Sequence, residues 1–322
     1  MTEVENGVGT HLSAQHEVLV EVELDRQLQL DPPAVQLPMR RLVEAGGKRL
    51  RPQLVMLAAQ LGCEYKPARA AQLAAAVELI HNSTLIHDDY VDQASVRRGR
   101  PAVAAMEGPG RAVAVGDYYF ARATRMIAEL NHRRVTQTIA NALEVICLSQ
   151  IDDVKLRGNY PGDYDSYLEV VRGKTAALIA AAARAGAELS CADEELTHRL
   201  ARYGELIGIG FQMTDDLLDY QPGSGKPIGT DIRQRTLSLP LIYACQDEKL
   251  GAELQHLLSG EIDDPVVERV QQLVTASNAL PRIAELAKSL TAEAVAEVDI
   301  PSLNGVRPLL IQLATVATER TV

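Results

Sequence analysis

The sequence predicts an all-α protein. Apolar residues recur at helical spacing along almost the whole chain, and no segment alternates apolar and polar residues with the β-branched enrichment of a strand. Composition agrees. Of 322 residues, 47% are hydrophobic but only 4% aromatic, and Trp is absent, so the core must be packed from Ala, Leu, Val and Ile, which suit helices.

Taken in order, residues 1–12 are polar and acidic and are expected to be disordered. Amphipathic segments follow at about 12–30, 52–61, 67–86, 110–130, 135–157, 164–189 and 193–218. Shorter ones follow at about 239–244, 252–258, 265–274, 281–298 and 308–318. Pro and Gly mark the breaks, as in Asp31-Pro32-Pro33, Asn159-Tyr160-Pro161-Gly162 and Gln221-Pro222-Gly223. No linker composition and no repeat divides residues 13–322, which read as one domain.

Several function classes are disfavoured at once. A net charge of −11 argues against nucleic acid as a partner. No apolar run approaches the ~20 residues of a transmembrane helix, and the polar start has no signal-peptide pattern. Cys63, Cys147, Cys191 and Cys245 are widely spaced and form no CxxC pair, as expected of thiols in a reducing compartment. The expectation is a cytoplasmic globular protein.

Two aspartate clusters of one form carry the chemistry: Asp88-Asp89-Tyr90-Val91-Asp92 and Asp215-Asp216-Leu217-Leu218-Asp219. Each puts carboxylates at i and i+4, on one face of a helix. Each also follows an apolar run, so the acids sit at the helix end that the macrodipole disfavours. Such a cost, incurred twice, points to a cation. Mg²⁺ suits, because it takes a few carboxylate oxygens and shares its other positions with water and phosphate. If the two helices run side by side, the clusters form a carboxylate rim above an apolar shaft. That combination suits a diphosphate head and a hydrocarbon tail.

Basic elements would complete such a site: Gly46-Gly47-Lys48-Arg49-Leu50-Arg51-Pro52, Arg97-Arg98-Gly99-Arg100, Gly173-Lys174-Thr175 and Gly225-Lys226. Arg offers bidentate phosphate contacts and Lys a point charge. Gly173-Lys174-Thr175 lacks the glycine spacing and preceding strand of a P-loop, so nucleotide binding is rejected.

The motifs GGKRLRP (46–52), LIHDDYVDQASVRRGRP (85–101), VGDYYFARA (115–123), GKTAAL (173–178) and FQMTDDLLDY (211–220) with GKPIGTD (225–231) resemble the all-trans polyprenyl diphosphate synthases. The resemblance extends from about Leu37 to Thr318. It implies an antiparallel helical bundle around a central hydrophobic cavity, the type I isoprenoid synthase fold, usually a homodimer with three Mg²⁺ ions. By that resemblance Asp88, Asp92 and Asp215 would ligate Mg²⁺, supported by Asp89, Asp216 and Asp219. Arg97, Lys174 and Lys226 would hold the allylic diphosphate, and Lys48, Arg51, His81 and Arg98 that of isopentenyl diphosphate. Thr175 and Gln212 would line the reacting centre.

The resemblance also places chain-length control four and five residues before the first aspartate, at Thr84 and Ser83. Both are small, which points to products longer than twenty carbons. The alternative is a farnesyl or geranylgeranyl diphosphate synthase with a deeper floor, near Ile80, Val77 or Ala76. The chain departs from the family at position 236, where Thr replaces a lysine, with Arg233 and Arg235 as nearby substitutes. The segment Ser149-Gln150-Ile151-Asp152-Asp153 departs too. Its Asp153 would steady Lys174 or a metal-bound water, or is a solvated acid. Two rivals remain: a terpene cyclase, disfavoured by the lack of aromatic residues, and a subunit that acts only with a partner, favoured only by Thr236.

Overall fold

The computed structural model describes residues 2–160, 162–220 and 229–318; for residues 2–13, Ser302 and Asn304 it describes the backbone alone. The order is α1 (Thr2–Gln29), α2 (Pro33–Glu44), α3 (Leu50–Ala59), α4 (Pro67–Val91), β1 (Val96–Arg97), β2 (Arg100–Pro101), α5 (Val103–Glu107), α6 (Pro109–Glu129), α7 (Arg133–Leu156) and α8 (Tyr164–Val171). A π turn (Arg172–Ala176) leads into α9 (Ala177–Leu189) and α10 (Glu194–Leu218). Then come α11 (Thr230–Gln234), α12 (Leu239–Cys245), α13 (Gly251–Ser259), α14 (Asp264–Ala276), α15 (Ala279–Val298), a 3₁₀ turn (Pro301–Val306) and α16 (Arg307–Thr318). The all-α class predicted from the sequence is the one observed. Among the described residues no helix is long and apolar enough to cross a membrane.

Local chemistry sets the helix boundaries. Pro67 occupies the first turn of α4, where its missing N–H costs nothing, and left-handed Gln93 (φ 53°) follows the helix end. Asp163 caps α8 by accepting from Ser166 N at 2.8 Å, and Asp263 caps α14 by accepting from Val266 N at 3.0 Å.

Two differences from expectation have physical causes. Helix α2 was hidden by its prolines. Pro33 serves in its first turn, and Pro38 inside it frees the Ala34 carbonyl, which Arg111 Nη2 takes at 2.7 Å. Finally, β1 and β2 form a two-stranded antiparallel hairpin, pairing Arg97 with Arg100 and Val96 with Pro101, where no sheet was expected. Arg98 (φ 50°) and Gly99 (φ 72°) make its turn, with the positive φ pair of a type I′ hairpin.

The chain divides into two compact units: residues 1–140, 181–201 and 300–310, and residues 141–180, 202–299 and 311–322. It passes from one to the other inside α7, α9, α10 and α16, and once between α15 and the 3₁₀ turn. In the first unit α4 packs chiefly on α6, and also on α3 and α1. Ala74, Ala75, Ala76, Val77, Leu79 and Ile80 are fully buried. A helix apolar on every side belongs inside, and α4 is that helix here.

The second unit has two apolar clusters. Tyr167, Ile209, Met213, Leu239, Ile242 and Ile283 form one; Ile232, Leu241, Leu254, Val270 and Leu273 belong to the other. Gly208 in α10 lets the π turn approach closely, since a Cβ there would lie 2.5 Å from Ala176 Cα.

Candidate active site

In the first unit, the first aspartate cluster lies at the end of α4, with Asp92 as its C-cap residue. Asp89 is buried and is paired with Arg97 on the hairpin, whose Nε donates to Oδ1 at 2.7 Å. Burial pushes the Asp89 carboxyl up, and the Arg97 hydrogen bond opposes that shift. Asp88 and Asp92 are half-buried. The I′ turn sends the next residue, Arg98, the other way, to donate to the carbonyls of Gly46 and Leu42.

The GGKRLRP segment and α4 build a cationic pocket. Arg49 is held in a left-handed conformation (φ 47°) by three bonds: to Glu21 at 2.7 Å, Glu78 at 2.8 Å and the Val43 carbonyl at 2.9 Å. It is therefore a structural arginine. Arg51 differs: its Nε is buried and has no hydrogen-bond partner, and burial pulls its guanidinium down to about 10. His81, about two turns before Asp88, is held neutral far below the usual imidazole range. Burial is the main cause, with Arg51, Arg98, Arg97 and Arg49 adding to it. Lys48 is exposed. An imidazole among arginines, beside an unsatisfied guanidinium N–H, suits an anion.

Ser83 and Thr84 are placed differently from each other. Ser83 is fully buried, with its hydroxyl donated to the Leu79 carbonyl at 2.8 Å, and has no surface to offer a ligand. Thr84 is half-buried and donates to the His81 carbonyl at 2.7 Å.

In the second unit the second cluster ends α10. Asp216 is buried and accepts from Gln212 Nε2 at 2.8 Å, Tyr167 Oη at 2.9 Å and Leu239 N at 3.2 Å. Burial pushes its carboxyl up to about 6 despite those three donors. Gln212 passes the connection on: its Oε1 accepts from Thr175 Oγ1 at 2.9 Å. Asp219, also buried, accepts from Thr230 N and Asp231 N at 3.2 Å each, and so holds the start of α11. Asp215 is half-buried.

Lys174 and Thr175 both belong to the π turn, a wide turn of the kind often found at functional sites. Lys174 Nζ lies 2.8 Å from Asp153, as anticipated, and Arg157 shares the same carboxylate at 3.5 Å. The substitutes proposed for the missing lysine are occupied elsewhere. Arg233 pairs with Asp264 at 2.8 Å, and Arg235 donates to the carbonyls of Leu258 at 2.9 Å and Gly260 at 2.5 Å. Lys226 lies outside the described residues.

Sequence reasoning missed Tyr167 and Glu78. Neither carries a local signal, because each matters only through a partner distant in the chain, Asp216 and Arg49. Arg157 could have been found, four residues after Asp153 on the same helical face.

Among the described residues no three His, Cys, Asp or Glu side chains are arranged to hold a metal ion by themselves. The donors still fit one. All are hard carboxylate oxygens, and burial strains Asp89 and Asp216 as negative charges, which a cation nearby would relieve. Mg²⁺ needs few protein ligands when water and phosphate fill the rest.

The polyprenyl synthetase family pattern matches residues 32–276. Heptaprenyl diphosphate synthase component 2 of Geobacillus stearothermophilus is 36% identical over 298 residues, 92% of each chain. Nonaprenyl diphosphate synthase of Mycobacterium tuberculosis is 35% identical, covering 90% of this chain and 88% of that one. The crystal structure of a polyprenyl synthase from Caulobacter crescentus, complexed with calcium and isoprenyl diphosphate, superposes with a TM-score of 0.91 at 33% identity over 97% of each chain. The chain belongs to the polyprenyl synthetase family. It is accordingly a prenyltransferase acting on prenyl diphosphates.

Proposed function

We propose that the chain condenses isopentenyl diphosphate with an allylic diphosphate to give an all-trans polyprenyl diphosphate longer than twenty carbons, in one cytoplasmic catalytic domain. The observation that carries this reading is the cationic pocket around neutral His81, where Arg51 keeps an unsatisfied buried N–H. A diphosphate supplies the acceptors that this pocket lacks. The long-chain reading is supported by the heptaprenyl and nonaprenyl synthases among the relatives. It is also supported by the small side chain at Thr84.

In this reading Arg51, Arg98, His81 and Lys48 bind the diphosphate of isopentenyl diphosphate and fix its double bond for attack. Lys174 and Arg97, with Lys226, orient the allylic diphosphate and hold it after the C–O bond breaks. Thr175 and Gln212 line the centre where positive charge develops, held in place through Asp216 and Tyr167. Asp88, Asp92 and Asp215 would hold Mg²⁺, three ions by the family pattern. When bound, the metal supplies positive charge against the leaving diphosphate. The cation formed by that attack loses a proton to give the elongated allylic diphosphate, which becomes the next primer.

We also assign a homodimer to the active form. An apolar ridge at three-residue spacing lies exposed on α7: Val145 (43%), Leu148 (56%), Ile151 (53%) and Val154 (47%). Two observations favour a second reading, a subunit that acts with a different partner: Thr236 stands where the resemblance places lysine, and a relative is named as a component 2.

The test incubates the purified chain with Mg²⁺, labelled isopentenyl diphosphate and farnesyl or geranylgeranyl diphosphate, and sizes the dephosphorylated products. A ladder ending beyond twenty carbons is expected. Products stopping at fifteen or twenty carbons would sink the long-chain assignment, and no incorporation with any primer would favour the partner-dependent subunit.

A further inference from the structure

Away from the catalytic residues, two exposed cysteines meet on neighbouring loops of the first unit. Cys63 lies between α3 and α4, and Cys191 between α9 and α10. The Cys63 thiol points at Cys191: Sγ is 3.8 Å from the Cys191 carbonyl oxygen, although 128 residues separate the two in sequence. The loops are also clamped backbone to backbone. Glu64 N donates to the Ser190 carbonyl at 2.9 Å, and a Cβ at Gly62 would stand only 2.2 Å from that same oxygen.

That clamp bounds the distance that matters. Standard backbone dimensions keep the two Cα atoms within about 8 Å even if every connecting vector lies in line. A disulfide asks for about 4.4–6.8 Å. Closure therefore needs at most a small inward shift of two surface loops.

A second feature is independent of the distance. Helix α9 ends in a Schellman cap, with Ala192 N donating to the Ala187 carbonyl at 3.0 Å and Cys191 N to the Glu188 carbonyl at 3.1 Å. The residue between must be left-handed, a place that usually goes to glycine, and Cys191 occupies it at φ 59°. A side chain kept where glycine would fit better suggests a use for the thiol.

We infer that Cys63 and Cys191 form a reversible disulfide that ties the α3–α4 loop to the α9–α10 loop. The oxidant is a small disulfide such as oxidised glutathione. One cysteine thiolate attacks it to give a mixed disulfide and one reduced thiol. The other thiolate then displaces the second reduced thiol. The chain loses two electrons and two protons, and the oxidant takes up both.

The test uses the full-length Cys147→Ser chain, which removes the other exposed thiol. It is treated with oxidised glutathione, alkylated after denaturation and mapped by peptide mass. The expected result is one intramolecular link between the Cys63 and Cys191 peptides, reversed by dithiothreitol. The link should be absent in a Cys63→Ser chain, and the Cys191→Gly chain, which relieves the left-handed strain, serves as the folded control. Recovery of both cysteines as alkylated thiols, as stable glutathione adducts, or only in links between two chains would overturn the inference.

Discussion

The Tyr167 hydroxyl donates to Asp216 Oδ2 across 2.9 Å, and both residues are buried. Asp216 in turn holds Gln212, whose Oε1 accepts from Thr175 in the π turn. A tyrosine that touches neither proposed substrate thus fixes the orientation of two residues assigned to the reacting centre.

Tyr167→Phe should leave the fold intact while removing one of the three donors to Asp216. Leaving a buried acceptor short of a partner costs about 1–3 kcal/mol. We expect kcat to fall roughly 10-fold, the scale of about 1.4 kcal/mol in the barrier, with KM for isopentenyl diphosphate nearly unchanged. Steady-state kinetics with both substrates check this, with circular dichroism as the control for folding. Unchanged kcat would mean that the Tyr167–Asp216 bond serves packing alone.

His81 gives a pH signature. Its folded form stays neutral well below the usual imidazole value, while in the unfolded chain it takes a proton near 6.5. The folded state therefore binds fewer protons, so His81 contributes stability that is present above about pH 6.5 and is lost as pH falls below it. Proton NMR of the ring, assigned with His81→Gln, should show no protonation at pH 6 in the free chain. Added inorganic diphosphate should raise the value, because an anion favours the charged ring. A free-chain titration near 6.5 would contradict the pocket described.

Thr236→Lys tests the departure at that position. Arg233 and Arg235 are held by Asp264 and by the carbonyls of Leu258 and Gly260, so neither stands in for a lysine. We expect the lysine to lower KM for the allylic diphosphate several-fold, on the scale of one surface charge contact of up to about 1 kcal/mol. Arg233→Ala should leave that KM unchanged. If Arg233→Ala raises it instead, the Asp264 pair does not persist in solution.

Thr84 and Ser83 should separate cleanly. Thr84→Phe is expected to shorten the longest product, read by chromatography of the dephosphorylated ladder. Ser83→Phe enters a fully buried position, where overpacking costs about 1–3 kcal/mol, and should lower the melting temperature. Equal effects of the two changes on product length would refute the distinction drawn from their burial.

The long helices were legible because periodicity and proline punctuation agree there, as at Pro67 and Pro109. Short α5 and α11 were not, since five residues show no period, and α2 was masked by prolines that the helix in fact accommodates. The aspartate clusters stood out because their chemistry is written locally. Their partners did not. Tyr167 and the Leu239 amide reach Asp216 only through folding, and the Arg98-Gly99 turn that aims Arg97 at Asp89 resembles a run of surface charge.

The π turn at Arg172–Ala176 has a consequence for how this chain tolerates change. Such a turn holds one residue more than the α-helix into which it is spliced. Deleting a single alanine from the following stretch, Ala180 to Ala183, would let the surplus relax and rewind the segment into ordinary helix. Charge and every aspartate would be preserved, yet Lys174 and Thr175 would turn about 100° away from Asp153 and Gln212. The chain can thus be disarmed by a change in count where no change in kind has occurred.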